Sequence, residues 1–518
     1  MNIHRKNTEK SQVVNVPEQQ LQDDQYSDPE QRPPVFKTAL QEVLCCMIAS
    51  FAPAASSMSS SAYQSSLSKI SEHFDEYGGS LTWSVSSVML ANGGCLLLMG
   101  GIADAFGRKN ALFIGFFFFT IFTLIGGFMT KSYIALCIFR AMQGATVACA
   151  TPASAGFLGS TYKDSKRKNL VMSCFAIGAP VGGASGFFIA GVCLTALNWR
   201  SVHFFLSMVY GTLAIGVYIY VPNDKPKLDW THIKSTFKKL DYLGSLLSIA
   251  GFTLICFSLT QVDATDKKWK TPYIIVLLII GILILVSFVI YEIYIPLNPL
   301  IPMKMFRNKN FCLAMGVSSL SWMTFFGILN YYAVLYFEKI RGYSAIITAC
   351  CFLTQPISGT LVSTFAGFTM HIIKGKYLMS IGCCGFLTSC IIWSTLSIHR
   401  NYFLGPFWSF MFTVLGADLI YNVANRCALS SVEKNLQSRA AGTFNTIIQL
   451  SSTVGLGLSS TILTSKYPLY GTVDEYNDLP ALFHAIKYNY YFGIALSGTA
   501  LLLSFFVDIG TVGVKHEH

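Results

Sequence analysis

The stretch GGIADAFGRKN, residues 100–110, ends one apolar run, MLANGGCLLLMG (89–100), and leads into another, ALFIGFFFFTIFTLIGGF (111–128). Asp104, Arg108 and Lys109 therefore stand where their neighbours suit hydrocarbon, and a charge inside hydrocarbon is costly. A short turn at the membrane surface, joining two spanning helices, removes the conflict. Gly107 permits that turn because glycine tolerates positive φ. Gly100 lets two helices approach closely. Asp104 is expected to face a helix N-terminus in the other half of the molecule, near Arg439–Gly442, where the macrodipole favours a negative charge. Arg108 and Lys109 would hold the cytoplasmic side.

The composition agrees with a membrane protein. Of 518 residues, 53% are hydrophobic and only 12% charged, and the mean hydropathy is +0.50. Soluble domains carry about 25% charged residues. The net charge of +11 does not indicate nucleic acid, because the basic residues fall in short clusters between apolar runs. Cytoplasmic loops of membrane proteins carry them there. The 15 cysteines lie mostly inside apolar segments, without a CxxC pair or zinc spacing, and read as small apolar filler. Neither a metal nor a cofactor is expected. No nucleophile–base pair or phosphate loop points to an enzyme.

A spanning helix needs about 20 apolar residues, and fourteen such segments can be counted between residues 40 and 508. Six precede residue 221 and six follow residue 310, so the seventh and eighth read as an inserted pair. The expected organisation is a disordered cytoplasmic tail (1–38), a six-helix bundle (39–221), a basic linker (222–241), the inserted pair (242–294), a second six-helix bundle (295–508) and a short tail (509–518). Loops rich in Lys and Arg alternate with poorer ones. The inside-positive rule then puts both termini in the cytoplasm. Glu292, at the end of the eighth segment, reads as a side chain that snorkels to the interface. A weak internal repeat relates GGIADAFGRK to GFTMHIIKGK (367–376), as in transporters built from two related halves.

Three further stretches carry polar chemistry into the apolar segments. LCIFRAMQGATVACATP (136–152) places Arg140 within the fourth segment, with Gln143 on or near its face. A mid-helix arginine must face a cavity or a partner. GAPVGGASGFF (178–188) combines Pro180, which can kink a helix, with Gly178, Gly182 and Gly183, which allow close crossing. FTVLGADLIYNVANRCALSSVEK (412–434) puts Asp418, Tyr421, Asn422 and Asn425 at three- and four-residue spacing, roughly one face of the twelfth segment. Asn330, Tyr331 and Gln355 are further candidates for a polar cavity. For each stretch interhelical packing is the alternative.

GGIADAFGRKN resembles the signature loop of the major facilitator superfamily, with Ala105 where that family usually has a basic residue. The Arg140 stretch resembles its R-x-x-Q-G motif. The Pro180 stretch resembles the antiporter signature of its drug/proton exchangers, with Ala179 replacing a glycine. Over nearly the whole chain beyond the tail, the sequence is similar to the fungal fourteen-helix drug/proton antiporters, and most to the subgroup named for aminotriazole resistance and boron export. That resemblance implies an all-α membrane protein of two six-helix bundles plus a helix pair. It implies proton-coupled export of small toxic compounds by a monomer, with the plasma membrane favoured over the vacuolar membrane. Asp418 would carry or sense the proton, and Arg140 with Gln143 would tune it. Uptake of a small polar nutrient or cation such as ammonium, borate efflux, and a transporter-like sensor are the alternatives.

Overall fold

The computed structural model describes residues 30–163, 165–223, 241–262, 265, 268–295, 300–301, 303–369, 372–431, 437–470, 472, 474 and 476–509. Fourteen helices carry the described chain. They are α1 (Ala39–Phe74), α2 (Gly78–Phe106), α3 (Arg108–Phe128), α4 (Tyr133–Thr161), α5 (Lys166–Ala196), α6 (Trp199–Tyr220), α7 (Tyr242–Thr260), α8 (Pro272–Tyr294), α9 (Lys309–Ile340), α10 (Ala345–Phe352, resuming as Thr354–Thr369), α11 (Gly375–Thr395), α12 (Pro406–Ser430), α13 (Gln437–Lys466) and α14 (Leu479–Ser504). All but α14 are long and apolar enough to cross a membrane. α14 has 26 residues and packs on α9 and α11.

The helices sort into two six-helix bundles, α1–α6 and α9–α14, and the inserted pair α7–α8. Both bundles follow one plan. α5 lies on α1, as α13 lies on α9; α4 lies on α2, as α12 lies on α10; α3 lies on α4, as α11 lies on α12. α7 sits against both α2 and α13, along the seam between the bundles, and α8 packs on α7. α8 has the most apolar window of all the spans and buries the least of it, as suits a helix facing lipid.

α1 runs far beyond a single spanning length of about 20 residues. Its 36 residues make about 54 Å at 1.5 Å per residue, longer than the hydrocarbon core. Its serine run does not break it, because hydroxyls bond back to the previous turn: Ser50 Oγ donates to Cys46 O and Ser66 Oγ to Ala62 O, each at 2.8 Å.

The first and last described residues lie at one end of the bundles, here the near end. The expected tail is shorter than the sequence suggested. Phe36 is 1% exposed and packs on Tyr162, so the chain is already ordered there; residues 1–29 lie outside the described part. Beside Phe36, Glu42 is buried and bound by Arg167 through Nε at 2.9 Å and Nη2 at 2.5 Å, and by the Tyr162 hydroxyl at 2.8 Å. This bidentate pair ties α1 to the start of α5. Truncating Arg167→Ala leaves the Glu42 carboxylate buried without its counter-ion and is expected to destabilise the protein by about 3 kcal/mol. Thermal unfolding of the purified protein checks this, and the double variant with Glu42→Ala should be less damaged than the two single losses added.

Nearly all of the basic linker (residues 224–240) lies outside the described part, as do residues 510–518. Asp241 belongs to α7 instead of the linker, capping it by accepting from Gly244 N at 2.8 Å. Glu292 does not snorkel. It is 3% exposed, turned inward beside Gly244 and Asp241.

Candidate functional site

The signature turn forms as expected at Gly107, whose φ of +92° lies in the region that favours glycine. Arg108 donates through Nη1 to Ser160 Oγ on α4. Lys109 Nζ donates to Tyr218 O on α6 at 3.0 Å. Both cations therefore clamp the near end of the first bundle internally. Gly100 faces Pro152 of α4 across an ordinary contact of 3.7 Å. The side chains of Asp104 and Ala105 lie outside the described part. The backbone of α2 does run beside α13, with Gly442 against Leu97 and Gly93 against Gln449 and Leu450.

The glycines of α5 make its crossing with α1 very close. A Cβ on Gly178 would collide with Ser50 O, and one on Gly182 would lie 2.6 Å from Ala54 O. Gly186 repeats the contact one turn on, against Met58 O. It belongs to the same four-residue period, which the sequence displayed but which the resemblance to a motif obscured. Gly183 is off this seam, 3.6 Å from Ser61 Oγ. Pro180 is exposed on the opposite side, and α5 continues through it.

Arg140 is completely buried in the first bundle. Its Nε donates to Ser84 O on α2 at 2.8 Å, and its Nη1 to Ser59 Oγ on α1 and to Gln143 Oε1 at 2.7 Å. The guanidinium stacks on Tyr63, 3.4 Å from the ring centroid, a cation–π contact strengthened by desolvation. Gln143 and Arg140 are thus brought together, and they tie α1, α2 and α4 into one unit.

Asp418 sits in the second bundle. Its Oδ2 accepts from Ser363 Oγ on α10 at 2.8 Å and lies 3.4 Å from where a Cβ of Gly359 would be. Asn422 Nδ2 bonds back to Asp418 O at 2.8 Å. Tyr421 donates to Asn445 Oδ1 on α13 at 3.3 Å, Gln355 to Asn330 Oδ1 at 2.7 Å, and Asn425 Oδ1 is buried without a partner. Gln355, Asp418, Tyr421, Asn422, Asn445 and Gln449 are all only half-buried. Tyr331 is buried and lies further out, lining a cavity at the far end. No hydrogen bond or ion pair joins Arg140 to Asp418 among the described residues; they belong to different bundles. Among the described residues Asp418 has one hydroxyl donor, Ser363, and no ion pair.

At the far end the bundles touch directly. Phe187 of α5 stacks on Phe352 of α10 with centroids 4.1 Å apart. Glu338 of α9 accepts from Ser68 Oγ of α1 at 2.9 Å, and Lys339 pairs with Glu72 at 3.4 Å. Glu338 escaped the sequence reading because the EK pair beside Arg341 looks like a loop. Its signal was the unbroken apolar run before it, which keeps the helix going.

A family model described as Major Facilitator Superfamily matches residues 49–456. The aminotriazole resistance protein of Saccharomyces cerevisiae is 28% identical over 489 residues, covering 92% of this chain and 85% of that protein. The low affinity ammonium transporter of the same yeast is 28% identical over 438 residues, covering 82% and 80%. In three dimensions the chain is similar to a D-xylose–proton symporter, with a TM-score of 0.62 at 13% identity over 91% of this chain and 99% of that one. Since that family model spans most of the chain, the chain belongs to the major facilitator superfamily and is a membrane transporter, not an enzyme.

Proposed function

We propose that the chain exports small toxic compounds in exchange for protons, as a monomer in the plasma membrane, with the near end in the cytoplasm. The observation that carries this reading is Asp418. It is a half-buried acid in the middle of a spanning helix, bound by one serine hydroxyl of α10, and such acids mark proton paths. Gln355, Tyr421, Asn422, Asn425, Asn330 and Tyr331 offer hydrogen bonds to a passing substrate. Arg140 with Gln143 acts at a distance, by fixing α1, α2 and α4 as one rocking body. Gly100, Asp104, Gly107, Arg108 and Lys109 form the near-end turn that stabilises one state, and Gly178, Gly182 and Gly186 keep α5 seated on α1 as the bundles rock.

The likeness to the aminotriazole resistance protein supports export. The likeness to the ammonium transporter supports a second reading, uptake of a small cation on the same scaffold. Cells overexpressing the chain, screened against toxins, weak acids, borate and cations, separate the two. Export predicts higher resistance to a subset, with lower accumulation of the same radiolabelled compound; higher accumulation favours uptake and overturns export.

A further inference from the structure

Glu338 stands apart from every residue used above. It lies in the last turn of α9, where the helix widens: Arg341 N bonds to Tyr336 O, five residues back, at 2.9 Å. Such wide turns are rare and are frequently found at functional sites. The widened turn swings Glu338 across the seam to α1, where Ser68 is its hydroxyl donor at 2.9 Å. Its other oxygen, Oε1, is buried without a partner. A cavity beside it is walled by Leu67, Leu81, Tyr331, Tyr470 and Tyr476.

The charged groups around it are engaged elsewhere. On α1, Lys69 pairs with Glu72 at 2.8 Å. On α9, Lys339 pairs with the same Glu72 and lies over the Tyr476 ring, 4.6 Å from its centroid. Among the described residues, the remaining titratable groups of the cavity wall are the phenols of Tyr331, Tyr470 and Tyr476. Closing the far seam therefore takes the Glu338 carboxyl out of water and returns to it a single serine hydroxyl.

We propose that Glu338 is the proton acceptor of the far gate: the gate closes when this carboxyl takes a proton from the far side and opens when it is ionised. In the step, a hydronium ion gives its proton to the carboxylate, leaving water and a neutral carboxylic acid, and no other bond changes. An ionised carboxyl prefers the hydrated, open gate, and a neutral one tolerates the buried, closed gate. By linkage, proton binding must then favour closure. This gives a proton-exchanging exporter a step it requires, resealing the far side after the substrate has left, and it rests on the proton-coupled reading of the previous section.

The test is the separation of the far ends. Spin labels carried by non-canonical amino acids at Leu197 and Leu404, 71% and 67% exposed on the far-end turns of the two bundles, report it by pulsed electron resonance in lipid nanodiscs. In the otherwise unaltered protein, the short-distance population should rise at least about twofold from alkaline to acid pH. In Glu338→Gln, which is always neutral, it should be high and independent of pH. If Glu338→Gln does not fold, Glu338→Asp should move the midpoint of the transition. A distance that ignores pH in the unaltered protein, or the same pH response in the variants, overturns the proposal. If the gate obeys Glu338 but no proton gradient drives export, the proton-coupled reading fails and the gate stands. If the gradient drives export and the gate ignores Glu338, only the gate proposal fails.

Discussion

Asp418→Asn is expected to abolish gradient-driven export, lowering its rate by about two orders of magnitude, a loss of roughly 2.7 kcal/mol of coupling. Asparagine has nearly the same shape as aspartate and can still accept from Ser363 Oγ, so packing between α10 and α12 should survive. What it cannot do is take up and release a proton. The residues proposed to meet the substrate, Gln355, Tyr421 and Asn425 among them, are untouched. Exchange of labelled for unlabelled substrate across the membrane, which needs no net proton movement, should therefore persist within about threefold, well under 1.4 kcal/mol. Ser363→Ala removes the single donor but leaves the acid, and should move the pH dependence of export without abolishing it. Gradient-driven export by Asp418→Asn with the pH profile of the unaltered protein would remove Asp418 from the coupling role.

Gly182→Val and Gly186→Leu are expected to prevent stable folding. At both positions the backbone carbonyls of α1 already occupy the place of a Cβ, at Ala54 and at Met58. Neither contact is the movable end of a side chain, so the helices themselves must separate. Overpacking a core costs about 1–3 kcal/mol where side chains can adjust; with backbone against backbone each variant should exceed that range. Loss of a monodisperse peak on size-exclusion chromatography is the expected result. Gly183→Ala, off the seam with Ser61 Oγ 3.6 Å away, is the control that should keep both the peak and transport. If Gly182→Val behaves like Gly183→Ala, the α1–α5 crossing is not the fixed joint described here.

The fold was legible in the sequence because hydrocarbon leaves few choices. A chain with 12% charge and fourteen apolar runs can satisfy its backbone only in helices, and the charged turn at Gly107 marks where one run ends. The inserted pair could be counted, but not its place along the seam against α2 and α13. Asp418 could be picked out because an acid in an apolar run stands out wherever it points. The inward placement of Glu42, Glu292 and Glu338 could not, since each lies near the end of a run, where charge looks like a loop or an interfacial residue. Whether such a residue is buried depends on the neighbouring helix, as Arg167 is for Glu42 and Ser68 for Glu338. Arg140 and Asp418 looked like partners in sequence because both are intramembrane charges. The two-bundle architecture separates them, and linear spacing carries no information about that.

The central claim is that substrate leaves in exchange for protons. In sealed vesicles bearing the purified protein, with a trapped pH-sensitive dye and an imposed gradient, addition of a transported compound should produce a proton flux opposite to substrate movement, and a protonophore should abolish uphill transport. Uphill transport that continues unchanged with the proton gradient collapsed would contradict the account.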